Sequence, residues 1–354
     1  MTFDNKKDFP SQILNDYQRQ LKIINFITLH LSFISFIKQH ISLKFTLQKI
    51  KSHHLLALTI LGNNSAIPAH GRNPTAQVLQ TNDENYLIDC GEGTQNQLTK
   101  YKIKRSKINN IFISHLHGDH YFGLIGLLTS MGLLGRTNDL HVYAPKPLEQ
   151  IIQLHLDAAN TTLPYKIYFH TLLEDGEIAN DKKITVTAFK VNHRIDCFGF
   201  LFKEKKNPRS ILLEKVKTYE IPEAYYGELQ KGKNYTTKKG TIVSNEDVTE
   251  PATAARSYAY CADTIYDETI ADKIKGADLV YHETTYLKDL EERAAARFHC
   301  TTEQAGNIAK LAGAKKLLIG HFSSKYELLD DFLSETKAIF ENTELALEGA
   351  CFKI

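Results

Sequence analysis

The stretch IFISHLHGDHYFGLIGLL, residues 111–128, places four potential metal ligands within six positions, directly after a short apolar run. They are His115, His117, Asp119 and His120. In an extended segment His115 and His117 project to the same side, while Asp119 and His120, at the turn into a helix, can face a second ion close by. The cluster alone is compatible with a histidine-rich polar turn or with the floor of a metal site. Further ligands elsewhere in the chain have to decide between the two.

Three later β-type runs supply such ligands, because each of them ends in a histidine or an aspartate. His193 follows TAFKVN, Asp263 follows SYAYCA, and His321 follows KKLLIG. Seven nitrogen and oxygen ligands exceed the four of one tetrahedral zinc ion, but they suit two ions that share a bridging carboxylate and a bridging water. A single polar residue at a strand end is usually a cap or a satisfied polar group. The ordered set of ligands argues against such a coincidence.

The composition describes a soluble globular protein without a global polyelectrolyte character. The 354-residue chain has 42% hydrophobic residues and a formal net charge of +2, so any nucleic-acid surface has to be local. Two basic segments meet that requirement. One is KYKIKRSK at 100–107, and the other runs from Lys203 to Lys239 with ten Lys and Arg against five Glu. A solvated face is the ordinary interpretation of either segment taken alone.

Cysteine usage and the N-terminal segment bear on location. Five scattered cysteines without a C-x-x-C pair argue against a disulfide framework or a cysteine-ligated zinc site, and they predict a cytoplasmic protein. The apolar run at 24–37 is interrupted by polar residues and is shorter than the ~20 residues of a membrane span, so no membrane association is predicted. Acidic residues ahead of this run disfavour a signal peptide. Residues 1–50 are predicted to form a poorly packed extension with an amphipathic helix.

From about Leu55 onward, β-type and helical runs alternate. LLALTILG (55–62) is typical of a strand, and GLIGLLTSMGLL (123–134) has the length and leucine spacing of a buried helix. The alternation predicts one layered α/β domain over residues 51–354. The charged, glycine-punctuated segment 203–250 breaks this rhythm and is interpreted as an insertion or arm.

The cluster SHLHGDHYFGL resembles the signature of the metallo-β-lactamase superfamily and, within it, that of the ribonuclease Z family of tRNA 3′-processing endonucleases. The resemblance extends from Leu61 to Phe352. Its other segments are LGNNSAIP, LIDCGEGTQNQL, VNHRIDCFGF, YCADT, HETT, HCTTEQA, GHFSSKY and IPEAYYGELQKGKN. The H-x-H-x-D-H pattern alone identifies only the superfamily, whereas the full set of segments is specific.

The resemblance implies a metallo-β-lactamase-like four-layer αββα sandwich with a protruding, tRNA-binding arm at about 203–245. It also implies two zinc ions per chain. The ligands implied for one ion are His115, His117 and His193, and those for the other are Asp119, His120 and His321, with Asp263 as the bridge.

Roles in catalysis and RNA binding follow from the same resemblance. Asp119 would also serve as general base, and His299, supported by Glu283, as general acid at the leaving group. Asp89 is predicted to orient His117 or His120 through a hydrogen bond. The residues predicted to contact RNA are Arg72, Asn73, Tyr226, Lys231 and Lys233.

The expected activity is that of a zinc-dependent endoribonuclease that removes the 3′ trailer from precursor tRNA. The products would be a 3′-hydroxyl on the tRNA and a 5′-phosphate on the trailer. The family also implies a homodimer in which one subunit's arm holds RNA for the other subunit's site. Two alternatives stay open: a phosphodiesterase of the same fold that acts on a small phosphodiester or another RNA, and an inactive RNA-binding member of the fold.

Several positions depart from the family pattern. Ala262 replaces the usual glycine before the bridging aspartate, a small change that should leave ligation intact. Cys300 replaces the serine of the H-S-T segment, so a hydroxyl contact there is lost or weakened. His70 stands where the family often has lysine, which leaves the treatment of an encoded CCA sequence open. Glu223 and Ala224 replace a glycine-proline pair, so the resemblance defines the arm's shape less well than the active site.

Overall fold

Two seven-stranded β-sheets form the centre of the structure, a computed structural model in which residues 55–206, 208–252 and 254–354 are described. The predicted N-terminal extension, residues 1–50, lies outside the described residues. In chain order the strands are β1 (Leu56–Gly62), β2 (Ala76–Thr81), β3 (Asn85–Ile88), β4 (Ile108–Phe112), β5 (Leu140–Pro145), β6 (Ile167–Leu172), β7 (Gly176–Asn180), β8 (Ile184–Val191), β9 (Cys197–Glu204), β10 (Ser210–Ile211), β11 (Tyr235–Thr236), β12 (Ile242–Val243), β13 (Thr249–Glu250), β14 (Ser257–Cys261), β15 (Leu279–Glu283), β16 (Leu317–Gly320), β17 (Thr343–Leu345) and β18 (Cys351–Lys353). The α-helices are α1 (Thr94–Lys100), α2 (Gly118–Tyr121), α3 (Leu124–Leu133), α4 (Pro147–Ala158), α5 (Leu213–Thr218), α6 (Tyr226–Gln230), α7 (Asn245–Val248), α8 (Thr269–Lys273), α9 (Glu291–Arg297), α10 (Thr302–Ala312) and α11 (Asp330–Ile339).

The first sheet has the strand order β18-β1-β2-β3-β4-β5-β6. Strand β1 is buried along its whole length, which is why its sequence is a nearly continuous apolar run. It pairs antiparallel with both neighbours, so Leu58 lies opposite Phe352 on one side and Leu79 on the other. Strands β3 to β6 run parallel. The carboxyl ends of β3 and β4, which lead to Asp89 and His115, therefore lie at the same edge.

The second sheet has the order β17-β16-β15-β14-β9-β8-β7. Strands β14, β15 and β16 are parallel and in register, and Tyr281 pairs with Tyr260 and with Leu318. Their carboxyl ends therefore lie side by side. Strands β8 and β9 are antiparallel with Val191 opposite Cys197, which places the connecting residues 192–196 at the same edge of the sheet.

Apolar side chains of the two sheets interdigitate to form the main core. Phe112 of the first sheet packs on Phe200 and Phe202 of the second, with ring centroids 5.5 and 5.2 Å apart. Helices α1, α3 and α4 cover the outer face of the first sheet, and α8, α10 and α11 cover that of the second. The predicted four-layer αββα sandwich is confirmed.

Helix α10 shows how local sequence fixes an element. Thr301 and Gln304 form a reciprocal capping box at its start, and Gly313 ends it with a left-handed φ of 62°. Among the helices of the described part of the chain, none is both long enough and apolar enough to span a bilayer.

The arm is a small folded unit inserted between β9 and β14. It contains helices α5 to α7 and two short two-stranded sheets, β10-β13 and β11-β12. Its own core consists of Val216, Ile221, Leu229, Val243 and Val248. The limits differ from the predicted 203–245, because β9 continues through Glu204 and the arm's last strand ends at Glu250.

Candidate dinuclear metal centre

The seven predicted ligands come together where the carboxyl ends of the two sheets meet. His115 and His117 follow β4, His193 lies between β8 and β9, Asp263 follows β14, and His321 follows β16. Asp119 and His120 belong to the one-turn helix α2. Within the described residues these side chains form two groups, and the ligand atoms of each group lie within 4.8 Å of one another. A third such group joins Asp263 and His321 to His299 and so overlaps with both.

The first group consists of three histidines and one carboxylate. Nδ1 of His117 faces Nε2 of His115 at 3.0 Å and Nε2 of His193 at 3.1 Å. Oδ2 of Asp263 lies 3.6 Å from Nε2 of His115. One imidazole nitrogen cannot satisfy two ring nitrogens through its single lone pair or proton. Such a convergence suits a shared cation better than hydrogen bonds.

The second group contains Asp119, His120 and His321. Nε2 of His321 lies 3.3 Å from Oδ2 of Asp119 and 3.4 Å from Nε2 of His120. Oδ1 of Asp263 is 3.5 Å from Nε2 of His120 and 3.4 Å from Nε2 of His321. The two oxygens of Asp263 thus face different groups, which is the arrangement that a bridging carboxylate requires.

The residues present fit a pair of divalent cations. Oδ1 of Asp263 is buried and has no hydrogen-bond partner among the described residues, a costly state unless a cation satisfies the oxygen. Imidazole nitrogen and carboxylate oxygen form the donor set that zinc accepts. The cluster therefore meets the geometric and chemical conditions for a dinuclear site.

Most of the histidines are held through the ring nitrogen that points away from the centre. Nδ1–H of His120 donates to Asp89 at 2.8 Å, and Nδ1–H of His193 donates to the Phe298 carbonyl at 2.9 Å. Nδ1 of His321 lies 2.9 Å from the Thr285 hydroxyl. Contacts of this kind fix the tautomer and leave Nε2 free for a metal. Asp89, predicted to orient His117 or His120, contacts His120.

Asp119 is positioned by the loop after β1. The backbone N–H of Ala66 donates to Oδ2 of Asp119 at 2.7 Å. Gly91 allows the chain around Asp119 to approach closely, because a Cβ at Gly91 would lie 2.4 Å from the Asp119 carbonyl oxygen. The Ala66 N–H therefore fixes the carboxylate, and close packing on Gly91 fixes the backbone of Asp119.

His299 and Glu283 form a hydrogen-bonded pair beside the metal ligands. Nδ1 of His299 lies 3.2 Å from Oε1 of Glu283 and 3.9 Å from Oδ2 of Asp263. Glu283 is fully buried and also accepts hydrogen bonds from the N–H of Cys300 and from the N–H and hydroxyl of Thr285. This dense set of donors keeps Glu283 ionised and fixed in place.

Burial and neighbouring charges shift the pKa values of three side chains at the centre. Burial lowers the pKa of His299, but the nearby carboxylates, above all that of Glu283, raise it by more than burial lowers it. The pKa of His299 therefore lies above its ordinary value. Burial would raise the pKa of Asp263, but His321 and His120 lower it well below its usual range. The pKa of His120 is raised despite burial, because Asp263 and Asp119 are nearby. To hold a cation, His120 would have to lose the proton on Nε2.

Four non-glycine residues around the centre have left-handed backbone conformations. Their φ angles are 63° at Ala66, 54° at Asp89, 60° at Phe298 and 62° at His321. Ala66 supports Asp119, Asp89 supports His120, and Phe298 supports His193, while His321 is itself a predicted ligand. Such strain is typical of positions that a surrounding network holds in place for function.

Two predicted RNA contacts, Arg72 and Asn73, are engaged within the protein. Nε of Arg72 donates to Asn64 at 2.9 Å, and its other nitrogens donate to the carbonyls of Tyr326 and Glu327. The Asn73 side chain donates to the Glu348 carboxylate at 3.2 Å. Both residues therefore brace the loop that carries Ala66.

The other predicted RNA contacts lie on the arm. Tyr226 packs against the arm's small core. Lys231 and Lys233 are exposed, and each forms an ion pair with Glu228. Within the described residues, none of these three side chains shares a hydrogen bond or ion pair with the metal centre.

Among the pocket residues that were not predicted from the sequence are Phe122 and Arg194. Both line the cavity of about 330 Å³ that opens onto the metal centre. A sequence signal was present for each, since Phe122 stands two positions after the histidine cluster and Arg194 directly follows His193. Phenylalanine and arginine do not bind metal ions, so a search for metal ligands in the sequence does not find them.

Comparison with known proteins gives one family model and many relatives. Residues 56–210 match the family described as the anti-Pycsar protein Apyc1. The chain is 44% identical over 299 residues to a ribonuclease Z of Bacteroides thetaiotaomicron, covering 84% of this chain and 95% of that protein. It is also 44% identical over 301 residues to a ribonuclease Z of Cytophaga hutchinsonii, covering 84% and 96%.

Solved structures share the same architecture. The short form of human tRNase Z superposes with a TM-score of 0.61 at 26% identity, over 84% of this chain and 98% of that one. The metallo-β-lactamase fold protein YhfI of Bacillus subtilis gives a TM-score of 0.62 at 19% identity, over 85% and 100%. At 19% identity, the similarity to YhfI shows a shared fold only.

Proposed function

We propose, from the premise that this chain belongs to the ribonuclease Z family, that two zinc ions at the seven-ligand centre serve an endonucleolytic cut at the 3′ end of precursor tRNA. Membership makes the chain an endoribonuclease of tRNA 3′ processing, and hence an enzyme rather than an inactive RNA-binding protein. The metal identity, the stoichiometry and the products belong to the proposal.

The observation that carries the proposal is the placement of Asp263 between two groups of ligands. His115, His117 and His193 would hold one cation, and the remaining three ligands, Asp119, His120 and His321, the other. When bound, such a pair of cations lowers the pKa of water and neutralises charge that develops on a phosphate. The histidine-rich donor set favours zinc over magnesium or calcium, which prefer all-oxygen sites.

The protein's own side chains would move the protons. Asp119, which accepts a hydrogen bond from the Ala66 N–H, would accept a proton from the attacking water. A 5′-phosphate on the trailer requires that the bond between phosphorus and the 3′-oxygen breaks, so that oxygen is the leaving group on the tRNA. His299 would donate its proton to this oxygen, and Glu283 would keep His299 protonated and oriented.

The arm would bind the body of the tRNA through its Lys and Arg side chains, because backbone phosphates dominate RNA affinity. The homodimer stays a prediction from the family resemblance, and sedimentation velocity measures it. Cytoplasmic location likewise stays a prediction based on the scattered cysteines.

The test is to incubate purified protein with a trailer-bearing precursor tRNA, with and without a chelator, and to map both product ends. We expect a single cut that leaves a 3′-hydroxyl on the tRNA and a 5′-phosphate on the trailer, loss of activity with chelator, and recovery with zinc. Zinc content should be near two per chain. Cleavage that survives complete metal removal, or a 3′-phosphate on the tRNA, would contradict the mechanism.

A further inference from the structure

The cavity above the metal centre has a rim that the metal chemistry does not use. Its volume of about 330 Å³ falls within the range of small-molecule sites, roughly 300–1,000 Å³. Asp119, Asp263 and His299 line its inner part, and Phe122 and Arg194 line the rim. A nucleotide whose phosphate reaches the metal centre enters a cavity whose exposed lining includes these two side chains and the carboxylate of Glu92.

Phe122 offers an open aromatic surface. Its side chain is 63% exposed, although it directly follows helix α2, which carries two metal ligands. The ring occupies the space that a side chain at Gly118 would need, since a Cβ there would come within 2.2 Å of a Phe122 ring atom. The ring of Tyr121 meets it edge-on with centroids 5.0 Å apart. The ring therefore has a fixed place beside the ligands and is mostly open to solvent.

Arg194 offers a cation without an internal partner. It is exposed, and within the described residues its guanidinium forms no ion pair or hydrogen bond. Of the described residues around this cavity, it alone is an arginine or a lysine. Its backbone position is set by His193, whose Nδ1–H is anchored on the Phe298 carbonyl. An unpaired arginine at the mouth of a phosphodiesterase site is suited to a phosphate oxygen.

We propose that Phe122 and Arg194 form a nucleotide subsite next to the scissile phosphate, in which Phe122 stacks on a flanking base and Arg194 binds a neighbouring phosphate. The inference rests on the proposed function, since it assigns a part of the same RNA substrate to this rim. Stacking on an aromatic ring tolerates any base. The subsite would therefore hold nucleotides without selecting a sequence, as the removal of diverse trailers demands.

The test for Phe122 combines the variant Phe122→Leu with abasic substrates. Stacking of one base on an aromatic ring stabilises a complex by an amount that corresponds to about a tenfold to hundredfold change in kcat/KM. Phe122→Leu should therefore lower kcat/KM on intact precursor tRNA by about that factor. A set of precursors carries one abasic nucleotide at each position around the cut. At the stacked position, the wild type should lose the same factor and the variant should lose nothing further. Leu154→Ala, an equally exposed apolar residue on α4, is the control.

The test for Arg194 uses Arg194→Gln and Arg194→Lys with substrates that carry one uncharged methylphosphonate linkage near the cut. The glutamine variant should lose about tenfold in kcat/KM on the normal substrate and nothing further on the substrate that lacks the contacted charge. The lysine variant should recover part of the activity. The control is Lys182→Gln, an exposed charge before β8 and thus at the far end of that strand from His193.

The outcomes separate this inference from the proposed function. If the wild type cleaves the intact precursor and Phe122→Leu keeps its defect on every abasic substrate, the stacking role is wrong. If Arg194→Gln cleaves as the wild type does, or loses the same factor on every methylphosphonate substrate, the phosphate contact is wrong. If the wild type does not cleave precursor tRNA at all, the proposed function itself fails. Thermal melting and zinc content of each variant establish that the fold and the centre are intact.

Discussion

The metal centre and the arm hold their charged side chains in opposite ways. At the centre, Asp263 and Glu283 are buried, and Glu283 accepts several fixed hydrogen bonds. On the arm, Lys231 and Lys233 are 68% and 64% exposed and share one carboxylate, that of Glu228. The centre is organised before substrate arrives, whereas the arm presents charge that can rearrange on RNA.

This difference separates two tasks of a nuclease. Charge stabilisation during bond breaking requires groups that are already in place in a water-poor site. Binding of a long polyanion requires mainly an excess of positive charge near the phosphates. Changes at the centre should therefore affect the chemical step strongly, and changes on the arm should affect RNA binding in a graded way.

Asp263→Ala should have the largest effect, because Asp263 faces both groups of ligands. We expect loss of at least one metal ion and a fall in precursor cleavage of roughly 10³-fold or more, since metal ions contribute several kcal/mol to such reactions. Zinc analysis and single-turnover cleavage measure the two effects. Asp272→Asn, an exposed change on α8, is the control. A variant that keeps two zinc ions and normal activity would remove the bridge from the mechanism.

Deletion of the arm should separate the two regions. Glu204 and Arg256 are neighbours in the sheet, because the N–H of Glu204 donates to the Arg256 carbonyl at 2.8 Å. An Asn-Gly turn in place of residues 205–255 should therefore close the gap. We expect kcat/KM on precursor tRNA to fall roughly 100-fold or more through lost phosphate contacts, while hydrolysis of a small chromogenic phosphodiester is retained. Unchanged tRNA processing would show that the arm does not hold the substrate.

Glu283→Gln tests the acid within the centre. His299 acts in its protonated form, so its function is present below its pKa and is lost as the pH rises through that pKa. Glu283 raises this pKa, and without the carboxylate the effect of burial lowers it. We expect the basic limb of the pH–rate profile to move to lower pH and the maximal rate to fall by about 100-fold, a typical loss for general acid catalysis. A profile with an unmoved basic limb would exclude His299 as the acid.

Glu228→Gln should have the smallest effect, and it should go in the opposite direction. Hydrogen bonds from Lys231 and Lys233 lower the pKa of Glu228 to about 2. At neutral pH the carboxylate is therefore ionised and neutralises part of the positive charge of the two lysines. The variant should bind tRNA a few times more tightly, with a steeper salt dependence that corresponds to about one or two more phosphate contacts. Filter binding at several salt concentrations measures this, with Glu214→Gln on α5 as the control. Weaker binding would mean that Glu228 positions the lysines instead.

The same contrast explains what the sequence could predict. The seven candidate ligands could be picked out from the sequence because only a few residue types bind zinc and because His193, Asp263 and His321 each directly follow a β-type run. Helix α3 and the buried strand β1 were recognisable from their apolar spacing.

Other features depend on contacts that no local pattern encodes. Strand β6 is half-buried at a sheet edge, and β17 and β18 are only three residues long, so none of them has a marked apolar period. The bracing role of Arg72 depends on carbonyls about 250 positions away. The pairing of both arm lysines with Glu228 depends on a local turn rather than on composition.

The left-handed residues around the centre have a consequence for how this enzyme can evolve. Each strained position opposes folding by roughly 1–3 kcal/mol, and the rest of the sandwich must compensate. Selection for heat resistance alone would be expected to relax Ala66 or Phe298, where glycine adopts the observed φ more readily. Such variants would melt at a higher temperature and hold Asp119 or His193 less firmly. Thermal tolerance and turnover should therefore trade against each other at these few backbone positions.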